Sequence, residues 1–413
     1  MSDVLGGLAK VCGDDHAREA TDEDTVAGVR PKWVTAPDST ETTSEVLTLA
    51  AGAGLSVVAR GAGTKLDWGS PPERVDVLLD MSRMDALIDH AVGDLVVRAE
   101  PGLPIASLQA ALAEQRQRLA LDEGLPGATV GGAVATGTSG PLRLLHGTAR
   151  DLLIGVTVVR ADGAVTHAGG TVVKNVAGYD LCKLYTGSYG TLGVITETVF
   201  RLHPTPRASA YVSVTLPDAA AATEPVAALL HSQSTCTAIE IDRPQADAPV
   251  TVVALLEGVP DGLAARAQSC ADLIGGSTSD SPPDWWGSYP FPDGGTAVKA
   301  TARLSGVSTL LALIGAAAQQ YGVPAAVRGS AAGALFVGLP ADAPADAVAG
   351  CVRAIRDGSK RWDGSTIVLR APAAVLAEVD QWGPVPGLSL MRRIKAQFDP
   401  ERRLSPGRFA GGI

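Results

Sequence analysis

The chain is poor in the residues that mark several common functional classes. Its five cysteines (Cys12, Cys182, Cys236, Cys270 and Cys351) are scattered over 413 residues without a single C-x-x-C pair. That spacing supports neither an iron–sulfur cluster nor a structural zinc site, and small buried apolar groups are the expected role. Aromatics make up only 4% of the residues. Basic residues are in the minority, 34 against 44 acidic, for a formal net charge of −10, and no basic tract reverses that balance. Nonspecific nucleic-acid binding is therefore excluded. The best apolar run, 309–318, is too short to cross a bilayer, and the first residues lack a charged leader followed by an apolar core. A cytoplasmic protein without a transmembrane segment is expected. Histidine is scarce too: His16, His90, His146, His167, His203 and His231, and none beyond.

Glycine, at 47 residues, is what the chain has in quantity, and it is grouped. Arg60-Gly61-Ala62-Gly63-Thr64-Lys65 follows the apolar run 55–59. It is not a dinucleotide fingerprint, because the third glycine of G-x-G-x-x-G is missing and no helical pattern opens after it. It is not a P-loop either, since no Gly-Lys-Ser/Thr is present. A strand–loop–strand nest for an anion, flanked by Arg60 and Lys65, competes with a plain tight turn. The second loop runs from Gly124 to Gly137 through Gly127-Ala128-Thr129-Val130-Gly131-Gly132. Its small residues suit either close approach to a ligand or close helix packing. The third is the block Lys174–Thr196, KNVAGYDLCKLYTGSYGTLGVIT. There a helical spacing over 179–185 leads into Gly187, Gly190 and Gly193 and then the β-branched run Val194-Ile195-Thr196. Successive backbone N–H groups without Cβ bulk make a phosphate-bearing cofactor the candidate ligand.

Taken together, RGAGTK, PGATVGG, the GxxRD of Gly147–Asp151, KNVAGYDL and GSYGTLGVIT resemble the FAD-binding domain of PCMH-type (vanillyl-alcohol oxidase family) flavoproteins. The similarity is closest to the flavin subunits of bacterial glycolate oxidase, above all the accessory one. It runs over 37–204, and Phe398-Asp-Pro…Leu404-Ser-Pro-Gly-Arg408 resembles the C-terminal signature of the same family. The resemblance implies an α+β architecture: a PCMH-type FAD-binding domain, an α+β cap domain and a C-terminal segment that returns to the FAD domain. It implies that residues 60–65 hold the FAD pyrophosphate, that Gly127, Ala128, Thr129, Gly131, Gly132 and Gly137 line pyrophosphate and ribityl chain, and that Gly190, Gly193, Val194 and Ile195 meet the adenine half. Arg408 should lie near the flavin, and Asp151 should orient its loop. Relatives attach FAD through a histidine after the first loop or a cysteine in the second. Thr64 and Lys65 occupy the first position here and no cysteine lies between Cys12 and Cys182, so noncovalent FAD is expected.

The expected boundaries are an N-terminal arm over 1–34, loosely held, the FAD domain over 35–206, a cap over 207–386 and the returning segment over 387–413. Pro204 and Pro206 mark the domain border. Asp162-Gly163 between apolar runs signals a hairpin. Cap strands are expected near 211–215, 238–241, 250–256, 297–302, 335–339 and 366–369, with helices over 218–230, kinked at Pro225, and 344–355. A closing helix is expected over 388–398.

In related 2-hydroxy acid dehydrogenases a histidine-bearing cap motif holds a divalent metal. This cap has only His231, so no metal is expected. His146 is the candidate catalytic residue, with a backbone-bonded structural histidine as the competing reading. The Trp285-Trp286…Tyr289-Pro290-Phe291 cluster reads as cap packing, a pocket wall or a partner surface. The function these features imply is an FAD-binding subunit of a glycolate (2-hydroxy acid) oxidase. It would take a small 2-hydroxy acid, bound here or on a partner, with a paralogous FAD subunit and an iron–sulfur subunit, and any membrane association would be peripheral, through partners. The alternatives are a free-standing FAD-dependent oxidoreductase of another small alcohol or hydroxy acid, or a flavin-binding structural subunit.

Overall fold

The computed structural model describes residues 4–122, 124–170 and 179–413. The Lys174–Gly178 half of the KNVAGYDL motif lies outside them. The chain divides into two compact units: 1–139 with 148–205 and 384–413, and 140–147 with 206–383.

The first unit is built on two sheets. In one, Trp33–Thr35, Val77–Asp80 and Val57–Arg60 run parallel, and Ala17–Glu19 adds to the edge antiparallel. The parallel strands are short apolar runs with both faces covered, as such strands must be. Helix Thr40–Gly52 starts at Ser39, whose hydroxyl accepts from the Thr42 N–H. It buries Val46, Leu47 and Ala50 against Val57, Val77 and Leu79. The other sheet is antiparallel, in the order Leu87–Ala91, Val96–Ala99, Val194–Arg201, Leu153–Val159, Val165–Gly169. Its last two strands form the hairpin signalled by Asp162-Gly163, with Gly163 at φ +84°.

Residues 4–34 are built into this unit and do not form a separate arm. Helix Val4–Cys12 buries Leu8 completely in the core around Val46, and Arg18 donates to Asp24 at 2.6 Å. The segment reads as polar because its buried apolar residues, Leu8, Cys12, Ala17, Ala20 and Val26, are interspersed with exposed charged ones. The closing helix runs Leu388–Phe398, and the tail after it pairs with the parallel sheet: the Val57 N–H donates to the Arg403 carbonyl at 2.8 Å and the Ser405 N–H to the Val57 carbonyl at 2.9 Å. Lys395, buried, donates to Asp399 Oδ2, the Thr191 carbonyl and the Leu404 carbonyl at 2.7, 2.7 and 2.9 Å. Asp399 in turn accepts from the N–H groups of Arg403 and Leu404. The tail's Asp-Pro signature thus fixes the path that leads to Arg408.

The second unit is one eight-stranded antiparallel sheet in the order Ser277–Ser279, Ala208–Leu216, Val250–Gly258, Ala238–Arg243, Ala326–Ser330, Ala334–Leu339, Thr296–Thr301, Thr366–Arg370. Helices Thr223–His231, Pro260–Ile274, Val307–Tyr321 and Ala345–Ser359 contribute with one sheet face to a single apolar core containing Ile239, Val298, Leu335, Ile314 and Val352. The kink expected at Pro225 is not there. The helix begins at Thr223, so Pro225 sits in its first turn, where a missing N–H costs no hydrogen bond. The aromatic cluster of 285–291 packs on residues of the strands: Tyr289 lies 4.7 Å from Phe336, Trp286 5.3 Å from Tyr211, and Arg328 5.3 Å over Trp285. Among the described residues no helix is long and apolar enough to cross a membrane.

Candidate cofactor site

All three glycine loops meet in the first unit. The loop after Val57–Arg60, the helix Val130–Thr136 and the turn before Val194–Arg201 line one cleft, with about 820 Å³ of open space including its mouth.

Local chemistry explains why the loops take these shapes. Gly63 has φ +78° and Gly190 φ +70°, conformations that an L side chain adopts only under strain. Gly61 is held by contact instead: a Cβ there would come 2.2 Å from Thr129 Oγ1. Thr129 is the N-cap of the second loop's helix, accepting from the Gly132 N–H at 3.3 Å. Gly131 packs on Pro101, where an added Cβ would lie 2.5 Å from the proline Cβ, and the Gly131 N–H donates to the Pro101 carbonyl. The third loop is tied to the second by backbone, the Gly187 and Tyr189 N–H groups donating to the Val134 and Ala135 carbonyls at 2.8 Å.

The donors are arranged for an anion. The N–H groups of Gly63, Thr64 and Gly190 have no acceptor among the described residues. Lys65 is 7% exposed and lines the cleft beside them. Arg408 is 4% exposed; its Nη2 donates to the carbonyls of Leu66, at 2.9 Å, and Trp68, while buried Nη1 has no partner among the described residues. Burial lowers its pKa to about 10, which still leaves it charged at neutral pH. Tyr189, at φ +56°, lines the same cleft, and burial pushes its hydroxyl up to about 12, so the phenol is a hydrogen-bond donor rather than a base. Tyr189 was not singled out in the sequence; its place inside the GSYGTLG turn is the signal that points to it.

Residues 60–65, Thr129, Gly131, Gly132, Gly190, Gly193, Val194, Ile195 and Arg408 all line the cleft. Gly127, Ala128, Gly137 and Asp151 do not. Gly127 and Gly137 turn the chain at φ +81° and +62°, and Ala128 is fully buried. Asp151 accepts from the Thr148 N–H and hydroxyl and so caps the short helix Ala149–Leu152. Arg60 lines the cleft, yet its guanidinium is bound by Asp24 at 3.1 Å and Asp80 at 2.5 Å, which assigns its charge to the fold. His146 ends the short helix Arg143–His146 in the second unit and is not among the cleft residues. All five cysteines are buried, and burial pushes Cys182 up to about 11.

The comparisons with known proteins identify the cofactor as FAD. A family model described as an FAD binding domain matches residues 31–169. This region is an FAD-binding domain of the PCMH type. Glycolate oxidase subunit GlcE of Escherichia coli is 38% identical over 155 residues, 37% of this chain and 44% of that protein. Glycolate oxidase subunit GlcD of Bacillus subtilis is 33% identical over 177 residues (43% and 38%), and D-lactate dehydrogenase of Archaeoglobus fulgidus 32% over 184 (45% and 41%). The matches span less than half of each relative's length. The structure of p-cresol methylhydroxylase with substrate bound shares the fold over 98% of this chain and 96% of its own, with a TM-score of 0.74 at 17% identity.

The residues of the FAD-binding domain fit that cofactor. A pyrophosphate takes many N–H donors with positive charge nearby. Gly63, Thr64 and Gly190 offer the donors, and Lys65 and the unsatisfied Nη1 of Arg408 offer the charge.

Proposed function

We propose that this chain is the flavin-binding subunit of a glycolate or related 2-hydroxy acid oxidase, working with a paralogous flavin subunit and an iron–sulfur subunit. FAD, when bound, supplies a two-electron acceptor for the α-carbon hydride. Residues 61–65 and Gly190 would hold its phosphates by backbone N–H groups, and Arg408 would place a buried positive charge against it. The protonated Tyr189 would donate a hydrogen bond and take no proton.

The observation that carries the subunit reading is the match to two different glycolate oxidase subunits combined with a histidine-poor second unit. The second unit holds two histidines, His146 in its 140–147 segment and His231, whose Nδ1 lies 2.8 Å from the Ala227 carbonyl of its own helix, so it has no histidine pair within 206–383. A cap that takes an alcohol proton at neutral pH ordinarily uses histidine. Dehydrogenation at a partner's site, with this chain relaying electrons, is the simpler assignment.

The test is to purify the chain alone and with a larger flavin paralogue and an iron–sulfur protein. Alone it should be yellow, release intact FAD on acid denaturation, and reduce an artificial acceptor slowly with glycolate or D-lactate. Co-expression should yield a co-purifying complex that turns over. Rapid oxidation of either acid by the isolated chain would overturn the subunit assignment, and a colourless protein that cannot be reconstituted with FAD would overturn the whole reading.

A further inference from the structure

A buried ion pair sits where the tail of the chain meets the third glycine loop. Lys395 on the closing helix and Asp399 just past its end are one turn apart, at 3% and 0% exposure. The Lys395 ammonium has three protons to donate, and three acceptors surround it: Asp399 Oδ2, the Thr191 carbonyl of the third loop and the Leu404 carbonyl of the tail. Asp399 holds the turn that starts the tail, accepting from the Arg403 N–H at 3.0 Å and the Leu404 N–H at 2.7 Å. One point therefore fixes two segments. The first is the residue after Gly190, which lines the cleft, and the second is the stretch that carries Arg408 into it.

The tail's other contacts show what it does once held. Ser405 packs on Gly190, where an added Cβ would lie 3.3 Å from the serine Oγ, and the Phe409 ring stands 5.7 Å from that of Tyr189. On its other side the Arg408 and Pro406 carbonyls accept from the Ser70 and Glu73 N–H groups at 3.0 and 2.8 Å, and Arg408 Nη2 donates to the Leu66 and Trp68 carbonyls. Residues 404–409 thus bridge the third loop and the segment that follows the first, and Tyr189, Gly190, Lys65 and Arg408 line the same cleft. Packing alone does not call for a lysine here. A buried ion pair is often no better for stability than apolar side chains of the same volume, because both charges must leave water. What an apolar side chain cannot do is draw carbonyls of two separate segments to one point.

We infer that Lys395 is a positioning residue for the cofactor: with Asp399 it clasps the tail to the third loop and so sets Gly190 and Arg408 in place to bind FAD. The inference rests on the reading of this cleft as the FAD site and is independent of the substrate and of the subunit assignment. Linkage makes the effect reciprocal. A ligand that touches Arg408 stabilises the clasped tail by as much as the clasp strengthens binding of that ligand.

Lys395→Met alone would strand a buried carboxylate, so the test variant is Lys395→Met/Asp399→Asn, which removes both charges and keeps a side-chain oxygen for the tail's N–H groups. FAD binding and release are followed by flavin fluorescence at a temperature where both apoproteins are folded. The double variant should bind FAD about tenfold or more weakly, the size of one charge-assisted hydrogen bond, with most of the change in the release rate. A lower melting temperature with FAD affinity within about twofold of the parent would mark a merely structural ion pair and overturn the inference. Hydrogen exchange on the parent needs no variant. Saturating FAD should slow exchange at the Ser70, Glu73, Ser405 and Arg408 amides by about tenfold or more and leave the helix Val307–Tyr321 unchanged. Exchange at those four amides that FAD does not alter would also overturn it. Arg408→Met separates the two levels. FAD affinity lost there and kept in the double variant would remove only the role of Lys395, whereas affinity kept in both would remove the reading of the cleft as well.

Discussion

Gly61 is the position where the two glycine loops can be pried apart with one methyl group. Its added Cβ would lie 2.2 Å from Thr129 Oγ1 and 3.3 Å from the threonine Cβ and Cγ2. The cheapest relief is for Thr129 to rotate its hydroxyl away, which abandons the hydrogen bond from the Gly132 N–H. Loss of an N-cap costs about 1 kcal/mol, or roughly 2–4 °C of melting temperature in a domain of this size. The cofactor should suffer more. Turning Thr129 moves the first turn of Val130–Thr136, and the 61–65 loop shifts with it. Misplacing even one N–H that serves a phosphate oxygen costs about 1.5–3 kcal/mol, roughly 10–100-fold in Kd.

Gly61→Ala is thus expected to lose at least tenfold in FAD affinity, read by quenching of FAD fluorescence on the apoprotein, with a small change in melting temperature. Thr129→Ala removes the oxygen that the new methyl strikes. In that background the Gly61→Ala penalty should shrink by about 1 kcal/mol or more, the coupling expected of residues in contact. An unchanged penalty in both backgrounds would refute the steric account and leave Gly61 as an ordinary turn residue.

Gly63 is constrained by conformation and not by contact, because its Cβ position has 3.7 Å of clearance from Arg60 Cδ. Gly63→Ala should cost about 1–2 kcal/mol and Gly63→Asn less, since asparagine tolerates the left-handed region; urea denaturation that ranks them the other way would refute this. Asp24 is held well below the usual carboxylate range, first by the Arg18 hydrogen bonds, then by Thr21 and Arg60. A depressed carboxylate stabilises the fold above its unfolded value of 3.8 and loses that contribution as pH falls below it. Asp24→Asn should therefore cost about 2 kcal/mol at pH 7 and nothing extra in strong acid, a gap that denaturation at several pH values would measure. Arg408→Met should lose FAD while the domain still folds, with Arg408→Lys intermediate, because lysine supplies a point charge without the guanidinium fork; FAD binding within twofold of the parent in both would make Arg408 purely structural.

Where a segment's partners are near in sequence, its structure was legible. The Asp162-Gly163 hairpin and the helix Leu388–Phe398 follow from local signals alone. The glycine loops were legible as a site because each lies between regular elements and has few other uses. What escaped depends on distant pairing. Ala326–Ser330 contains Gly329 and Arg328 and has little strand character, yet it is central in its sheet because it pairs with Ala238–Arg243 and Ala334–Leu339. Ser277–Ser279 is an exposed edge with no apolar face to reveal it. Residues 140–147 group with the second unit although 148–205 group with the first, a division that no local signal around His146 announces. Arg60 reads as a phosphate ligand until Asp24, 36 residues upstream, is seen to hold it.

Charge joins these observations. A chain with a net charge of −10 has carboxylates to spare, and most of its buried cations use them or backbone carbonyls: Lys395 with Asp399, Arg328 with Asp242, Arg60 with Asp24 and Asp80. Against that background, an incompletely satisfied buried cation is informative. Arg408 in the first unit keeps Nη1 without a partner among the described residues. A buried guanidinium left partly unsatisfied costs the apoprotein stability. The ligand proposed for it is an anionic dinucleotide. FAD should then raise the melting temperature of the parent with increasing concentration, and by less in Arg408→Met.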